Sequence, residues 1–378
     1  MGGCLPSLER KSSAVFSILE RSDTLSGCVT VVGTGSWGTT LAIVLARHGL
    51  EVILWARTGE EARQLDTRRT NEAFLPGVPF PDHLMVTHSL PVALENCELL
   101  LLVVPAQQMR ENARQVREYL QEGTIVVSAA KGLEIETTLR MTQVLREELP
   151  SLFYSHQAVL SGPNLSHEIV AGKPASTVVA SENDEAARFV QGLIMTPQLR
   201  VYTHNDVVGV ELAGALKNII ALGAGICDGL GYGDNAKAAF MTRGLAEIAR
   251  LGVAAGANPL TFAGLAGIGD LVTTCASPHS RNHYMGEELA RGRSLAEIQA
   301  SMRMVAEGVP TTIAALRLAR RYTVEMPITE QMYQVLFEGK DPRRAVIDLM
   351  TREAKGELDG LGPGAQALLG MDGRLAVA

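Results

Sequence analysis

The sequence predicts an α/β N-terminal domain with a mainly parallel sheet, followed by an all-α C-terminal domain. Three observations carry this. From residue 28 to about 203, strand-like runs alternate with helix-like runs, the pattern of a parallel sheet covered on both faces. From Asn205 onward every periodic segment reads as helix. Between the first strand and the first helix stands Gly33-Thr34-Gly35-Ser36-Trp37-Gly38, three glycines at G-x-G-x-x-G spacing.

The elements follow in order. Cys28 to Val32 is an apolar strand, and Thr39 to Ala46 a small, apolar helix. Gly33 permits the tight turn, Gly35 lets a pyrophosphate approach the backbone, and Gly38 lets the helix pack against the strand. Further strands are expected at Val52–Trp55, Leu99–Val104, Thr124–Ser128, Ala158–Leu160, Thr177–Ala180 and Arg200–Tyr202. Helices are expected at Glu60–Arg68, Gln107–Leu120, Thr137–Glu148 and Asp184–Ile194. Leu99 to Val104 is continuously apolar, as a central buried strand is. In the second half Val207 to Ile226, Ala236 to Leu251, Arg281 to Arg291, Ser294 to Ala300, Pro310 to Arg321 and Thr329 to Phe337 read as helices. The division expected is an extension over 1–26, a sheet domain over 27–203, a helical domain over 204–357 and a tail over 358–378. The extension is expected to be disordered and the tail flexible, because Gly360 to Gly364 carries several glycines and few large residues.

At 378 residues, with 46% hydrophobic and 20% charged positions, the chain can bury two cores. The net charge of -7 argues against a general nucleic-acid binder, and leaves room for an anionic small molecule held by a few local cations. The five cysteines are scattered, without a C-x-x-C pair, which fits a reducing, cytoplasmic setting. The eight histidines show no ligand spacing, so no metal is expected. Met1-Gly2-Gly3-Cys4 begins like a myristoylation signal, but Pro6 stands where Ser or Thr belongs. No run reads as a signal peptide or a membrane span.

Four places gather polar residues where a core would exclude them. At the end of the second strand, Leu54 to Gly59 holds no acid for a ribose, and Arg57 could meet a 2′-phosphate, favouring NADP or dual use; it could also stack on adenine or face solvent. Lys131 follows a strand, where ligands of such sheets lie. Gly162, Pro163 and Asn164 turn a strand into a helix whose N-terminus could face a polar group. Lys217 and Asn218 interrupt an apolar helix: a buried lysine has a lowered pKa suited to acid–base work, and the alternative is a lysine that snorkels to the surface. In the helical half, Asp270 could cap a helix or hold a catalytic lysine. Arg281 could clamp a phosphate or make a surface ion pair.

The chain resembles the bacterial NAD(P)-dependent sn-glycerol-3-phosphate dehydrogenases. The resemblance covers about Val29 to Glu357 and rests on G-T-G-S-W-G-T at 33–39, A-A-K-G-L-E at 129–134, S-G-P-N-L-S-H-E-I at 161–169, the long run at 211–239, L-A-G-I-G-D-L-V-T-T-C at 265–275 and S-R-N-H-Y-M-G at 280–286. It implies a Rossmann-like domain, a helical substrate domain, and interconversion of glycerol 3-phosphate and dihydroxyacetone phosphate with NADP or NAD, a precursor step for glycerophospholipids. By resemblance Lys217 is the proton donor and acceptor, with Lys131 and Asp270 beside it as catalytic groups. Gly33, Gly35, Ser36, Trp37, Gly38, Arg57, Lys131, Ser166, Arg281, Val305 and Glu307 resemble cofactor contacts. Lys131, Gly162, Asn164, Lys217, Asn218, Asp270, Thr274, Ser280, Arg281 and Asn282 resemble substrate contacts. Asn164 departs from the Ser of many members. The oligomeric state is not written in any motif, and a homodimer is compatible with the sequence.

Two other classes share parts of this pattern. A β-hydroxyacid or 6-phosphogluconate-type dehydrogenase pairs its helix-borne lysine with an Asn about one turn later, whereas Asn218 follows Lys217 directly. A nucleotide sensor on the same fold has no use for Lys131, Lys217 and Asp270 together.

Overall fold

A computed structural model describes residues 27–302, 304–354 and 356. The expected extension, 1–26, and tail, 358–378, lie outside the described residues.

Among the described residues ten strands follow in chain order: β1 (Cys28–Val32), β2 (Glu51–Trp55), β3 (Thr70–Asn71), β4 (Leu75–Pro79), β5 (Leu84–Thr87), β6 (Leu99–Leu102), β7 (Ile125–Ser128), β8 (Gln157–Ser161), β9 (Ala175–Ala180) and β10 (Leu199–His204). Eight form one sheet in the order β10-β9-β8-β7-β6-β1-β2-β5, while β3 pairs with β4. Neighbours in the large sheet run parallel except β8 and β9. The four leucines of β6 are fully buried at the middle of the sheet. Leu99 and Leu101 pack into one core with Val29 and Val31; Leu100 and Leu102 pack into the core on the other face. This alternation is why an all-leucine strand fits there.

Strand order places the site. From β1 the chain builds outward to β2 and β5, then returns to β6 on the other side of β1. The crevice beyond the carboxyl ends of β1 and β6 is therefore the switch point where such sheets bind ligands. The glycine loop fills it. Gly33 has φ 122°, and a Cβ there would come within 2.3 Å of the Val103 carbonyl. A Cβ on Gly38 would sit 1.9 Å from the Gly33 carbonyl. Gly35 is different: a Cβ there would meet nothing within 4 Å. The fold itself requires the outer glycines, and the middle one leaves open space.

Several boundaries depart from the sequence reading. β3, β4, β5 and the helices Leu90–Leu94 and Pro342–Met350 are additional. Prolines at 76, 79, 91 and 342 make β4 and the two helices read as loops, yet edge strands and first helical turns tolerate proline, while β3 and β5 are too short for their pattern to show. The helix expected over Gln107–Leu120 is Met109–Val116 behind a short 3₁₀ turn. The one expected from Thr137 starts at Met141, because Thr138 takes a left-handed φ of 62°.

The helical half is built round Val207–Gly229. This helix has 23 residues and mean hydropathy 1.6, so by length and composition it could cross a membrane, which corrects the reading that no run could. It is a core helix here: 94% of its most apolar stretch is buried. Helix Arg281–Ala290 crosses it closely, with Gly225 against the His283 carbonyl and Gly286 against the Leu222 carbonyl, where any Cβ would clash at 2.0 Å. Near its N-terminus, Glu211 accepts from the Thr142 N–H at 2.8 Å, the Thr142 hydroxyl at 2.6 Å and the Arg140 guanidinium. That buried carboxylate ties the helical half to the sheet half.

Candidate active site

Three ionisable side chains from distant segments meet where the halves face each other. Lys131 comes from the loop after β7. Lys217 comes from the middle of the central helix. Asp270 opens the helix Asp270–Ala276. Lys131 Nζ donates to Asp270 Oδ2 at 2.7 Å and to the Gly162 carbonyl at 2.8 Å. Lys217 Nζ donates to Asp270 Oδ1 at 2.7 Å and also to the Thr274 hydroxyl. Thr274 in turn donates to the Asp270 carbonyl at 2.6 Å. One carboxylate is thus shared by two ammonium groups, and the cluster carries one positive charge in excess.

Burial decides its chemistry. Lys217 is 6% exposed and Asp270 1%. Desolvation pushes the Lys217 ammonium down to about 8; Asp270 works against this shift and Lys131 adds to it. A group poised there can give and take a proton near neutral pH. The snorkelling alternative for Lys217 therefore falls away. Asp270 opens a helix and also binds both lysines.

A relay of amides surrounds the cluster. Asn218 Nδ2 donates to the Lys131 carbonyl at 3.3 Å. Asn282 Nδ2 donates to Asn218 Oδ1 at 2.9 Å, and Asn282 Oδ1 accepts the Gly308 N–H at 2.9 Å. Ser280 accepts from the His283 N–H at 3.2 Å as a helix cap. Asn164 Nδ2 reaches Thr177 at 3.3 Å. Its Oδ1 and the Ser161 hydroxyl are buried polar atoms with no protein partner among the described residues.

The second group is the glycine loop and what covers it. Ser36 donates to the Phe74 carbonyl at 2.8 Å and to Met304 Sδ at 3.5 Å, so a loop of the helical half lies over the glycines. Glu307 Oε1 accepts the Ala106 N–H at 3.3 Å, while Glu307 Oε2 and Trp37 Nε1 are buried without a partner among the described residues. Burial raises the Glu307 carboxyl, with Ala106 and Arg281 opposing. Arg281 donates to the Val305 carbonyl at 3.0 Å. Its surface is exposed, yet protein stands close enough round it to push its guanidinium below the usual arginine value, which Glu307 counters. The open face of Gly35, the orphaned Trp37 N–H and the switch point together fit a dinucleotide.

The structure thus joins Lys131, Gly162, Lys217, Asn218, Asp270, Thr274 and Asn282 into one network. Gly33, Gly35, Ser36, Trp37 and Gly38 form the other, with Val305 and Glu307 on the connecting loop and Arg281 bonded to Val305. Arg57 stands exposed beyond β2, and Ser166 half-buried at the start of Ser166–Val170, neither with a hydrogen bond to these groups among the described residues. Four residues were not foreseen. Asn71 donates to the Thr34 carbonyl at 2.8 Å and the Thr39 hydroxyl at 2.9 Å, bracing the glycine loop. Glu61 accepts from the Thr34 hydroxyl at 2.5 Å. Ser161 and Met304 complete the set. A cavity of about 230 Å³ between Arg47, His48, Ile169 and Gln198 shares none of these residues.

Comparison with known proteins matches both halves of the chain. Residues 28–187 match the family model for the NAD-dependent glycerol-3-phosphate dehydrogenase N-terminus, and residues 206–347 match that for its C-terminus. The glycerol-3-phosphate dehydrogenase (NAD(P)+) of Desulfitobacterium hafniense is 53% identical over 331 residues, 88% of this chain and 93% of that protein. The same-named protein of Chlorobium limicola is 51% identical over 330 residues, 87% of this chain and 99% of that one. The crystal structure of glycerol-3-phosphate dehydrogenase from Coxiella burnetii matches with a TM-score of 0.82 at 36% identity, covering 86% of this chain and 99% of that chain. With both halves matched in chain order, the chain belongs to the NAD-dependent glycerol-3-phosphate dehydrogenase family.

Proposed function

We propose that the chain catalyses reversible hydride transfer between NAD(P)H and dihydroxyacetone phosphate, giving sn-glycerol 3-phosphate. The observation that carries this is the buried Lys131–Asp270–Lys217 cluster beside an open glycine loop. When bound, the cofactor supplies the hydride, and the protein must supply a proton and positive charge. Lys217 Nζ gives its proton to the carbonyl oxygen as that oxygen gains negative charge, and takes it back in the oxidation. Asp270 and Thr274 fix the direction of Nζ. Once Lys217 is neutral, Asp270 still faces the Lys131 ammonium, so proton transfer leaves a balanced ion pair instead of a lone buried charge. Lys131 adds positive charge where the oxyanion forms.

Asn218, Gly162 and Asn164 hold the substrate side of this reading, with Asn282 and Ser280 shaping the turn that presents Arg281. The Arg281 fork clamps the phosphate, whose remote binding energy aligns the carbinol carbon. Gly33, Gly35, Ser36, Trp37, Gly38, Ser166, Val305 and Glu307 hold the dinucleotide. Arg57 meets a 2′-phosphate, favouring NADPH. We place the sheet domain at 27–203 and the helical domain at 204–357. The described cysteines are free, which suits a reducing cytoplasm, and the product suits glycerophospholipid supply.

Absorbance at the reduced nicotinamide band tests the reading. NADPH should be consumed on adding dihydroxyacetone phosphate and consumed far more slowly on adding unphosphorylated dihydroxyacetone. Equal rates with both, or with neither, would sink it.

A further inference from the structure

The end of β2 offers no acid to the ribose of a dinucleotide: Trp55, Ala56, Arg57, Thr58 and Gly59 follow one another. The nearest acids open the helix Gly59–Arg68, and they diverge. Glu60 accepts from Gln64 along the helix surface at 3.1 Å. Glu61 turns to the glycine loop, where Oε1 accepts from the hydroxyl of Thr34, the residue between Gly33 and Gly35. The Thr58 hydroxyl accepts the Glu61 N–H at 3.2 Å and so fixes that first turn. Thr34 is held on its other side by Asn71. Glu61 Oε2 has no partner among the described residues. A half-buried carboxylate therefore stands on the loop whose middle glycine is open, with the exposed Arg57 guanidinium on the same β2-to-helix turn.

We propose that Glu61 supplies the ribose-binding carboxylate that the end of β2 lacks, and that Glu61 and Arg57 together make the site accept both NADH and NADPH. The inference rests on the nucleotide reading of the glycine loop. Its chemistry is simple. A 2′,3′-diol donates two hydroxyls, which a carboxylate accepts. A 2′-phosphate beside that carboxylate is repelled, and the Arg57 fork offsets the repulsion. Glu61 favours NADH and Arg57 favours NADPH.

Glu61→Gln separates this role from bracing. The amide keeps an oxygen for the Thr34 hydroxyl, so a brace survives, while the charge is gone. Dissociation constants for NADH and NADPH, read by nicotinamide fluorescence on the full chain without substrate, give the answer. NADH should weaken by roughly tenfold, the scale of one charged hydrogen bond, and NADPH should tighten. Arg57→Ala should move the ratio the opposite way. An NADH-to-NADPH ratio within about twofold of wild type in Glu61→Gln, or equal weakening of both cofactors, would overturn the assignment. Failure of the wild-type chain to bind either cofactor would overturn the nucleotide reading, and this inference with it.

Discussion

Two buried acids of the helical half, Glu247 and Asp270, meet opposite fates. Each is 1% exposed. Glu247 accepts the N–H groups of Ile328 and Thr329 at 2.8 and 2.9 Å and the Thr329 hydroxyl at 2.7 Å, so it anchors the start of helix Pro327–Phe337. Its hydrogen-bond donors are all neutral groups of one helix end, Arg250 adds only a charge attraction, and burial pushes its carboxyl up to about 7 against their combined pull. Asp270 faces two ammonium groups from different halves, one of them itself held down to about 8. A carboxylate satisfied by fixed dipoles stabilises a fold. A carboxylate shared by two lysines instead holds in place an ammonium that burial has brought down to about 8. Burial alone does not mark a catalytic acid; the titratability of its partners does.

This contrast can be broken by substitution. Lys217→Ala should lower kcat by about 10²–10⁴ while NADPH binding, followed by fluorescence, persists. A rate within a few-fold of wild type would remove Lys217 from the proton path. Glu247→Ala should do the reverse. Two buried N–H groups lose their acceptor, so denaturant unfolding should show a loss of about 2–4 kcal/mol, with kcat per folded molecule unchanged. A large fall in kcat for the folded protein would make Glu247 more than a helix anchor.

Arg281→Lys is a smaller perturbation. A lysine cannot reproduce a planar two-pronged contact, so KM for dihydroxyacetone phosphate should rise roughly tenfold. Unphosphorylated dihydroxyacetone should be affected much less. Equal losses would move Arg281 from the phosphate to the scaffold.

Much of this was legible in the sequence, for identifiable reasons. The glycine loop announces itself because spacing, strand and helix are contiguous. Lys217 and Asn218 stand out because every other residue from Leu212 to Cys227 is apolar or glycine. The alternation of strands and helices locates the sheet, and its loss after Asn205 locates the helical half. What escaped depends on pairs far apart in the chain. Asn71 lies before a proline-rich stretch, and only the fold carries it under Thr34. Glu61 looks like an ordinary first-turn acid until its carboxylate is seen on the glycine loop. Asn282 sits in a motif that resembles a phosphate clamp, and its amide oxygen is spent on Gly308 and its nitrogen on Asn218. The apolar length of Val207–Gly229 is equally ambiguous alone, since core helices and membrane spans share it.

Burial that brings Lys217 down to about 8 should let it exchange a proton near neutral pH. The pH profile of kcat/KM for glycerol 3-phosphate oxidation tests it most directly. Oxidation needs the neutral amine, so the rate should rise through an apparent pKa near 8. Reduction needs the ammonium and should fall over the same interval. Asp270→Asn removes the charge that opposes desolvation, so its oxidation profile should rise at lower pH than wild type. Profiles flat in both directions from roughly pH 6.5 to 9.5, or a rise that ignores Asp270→Asn, would contradict Lys217 as the group that carries the proton.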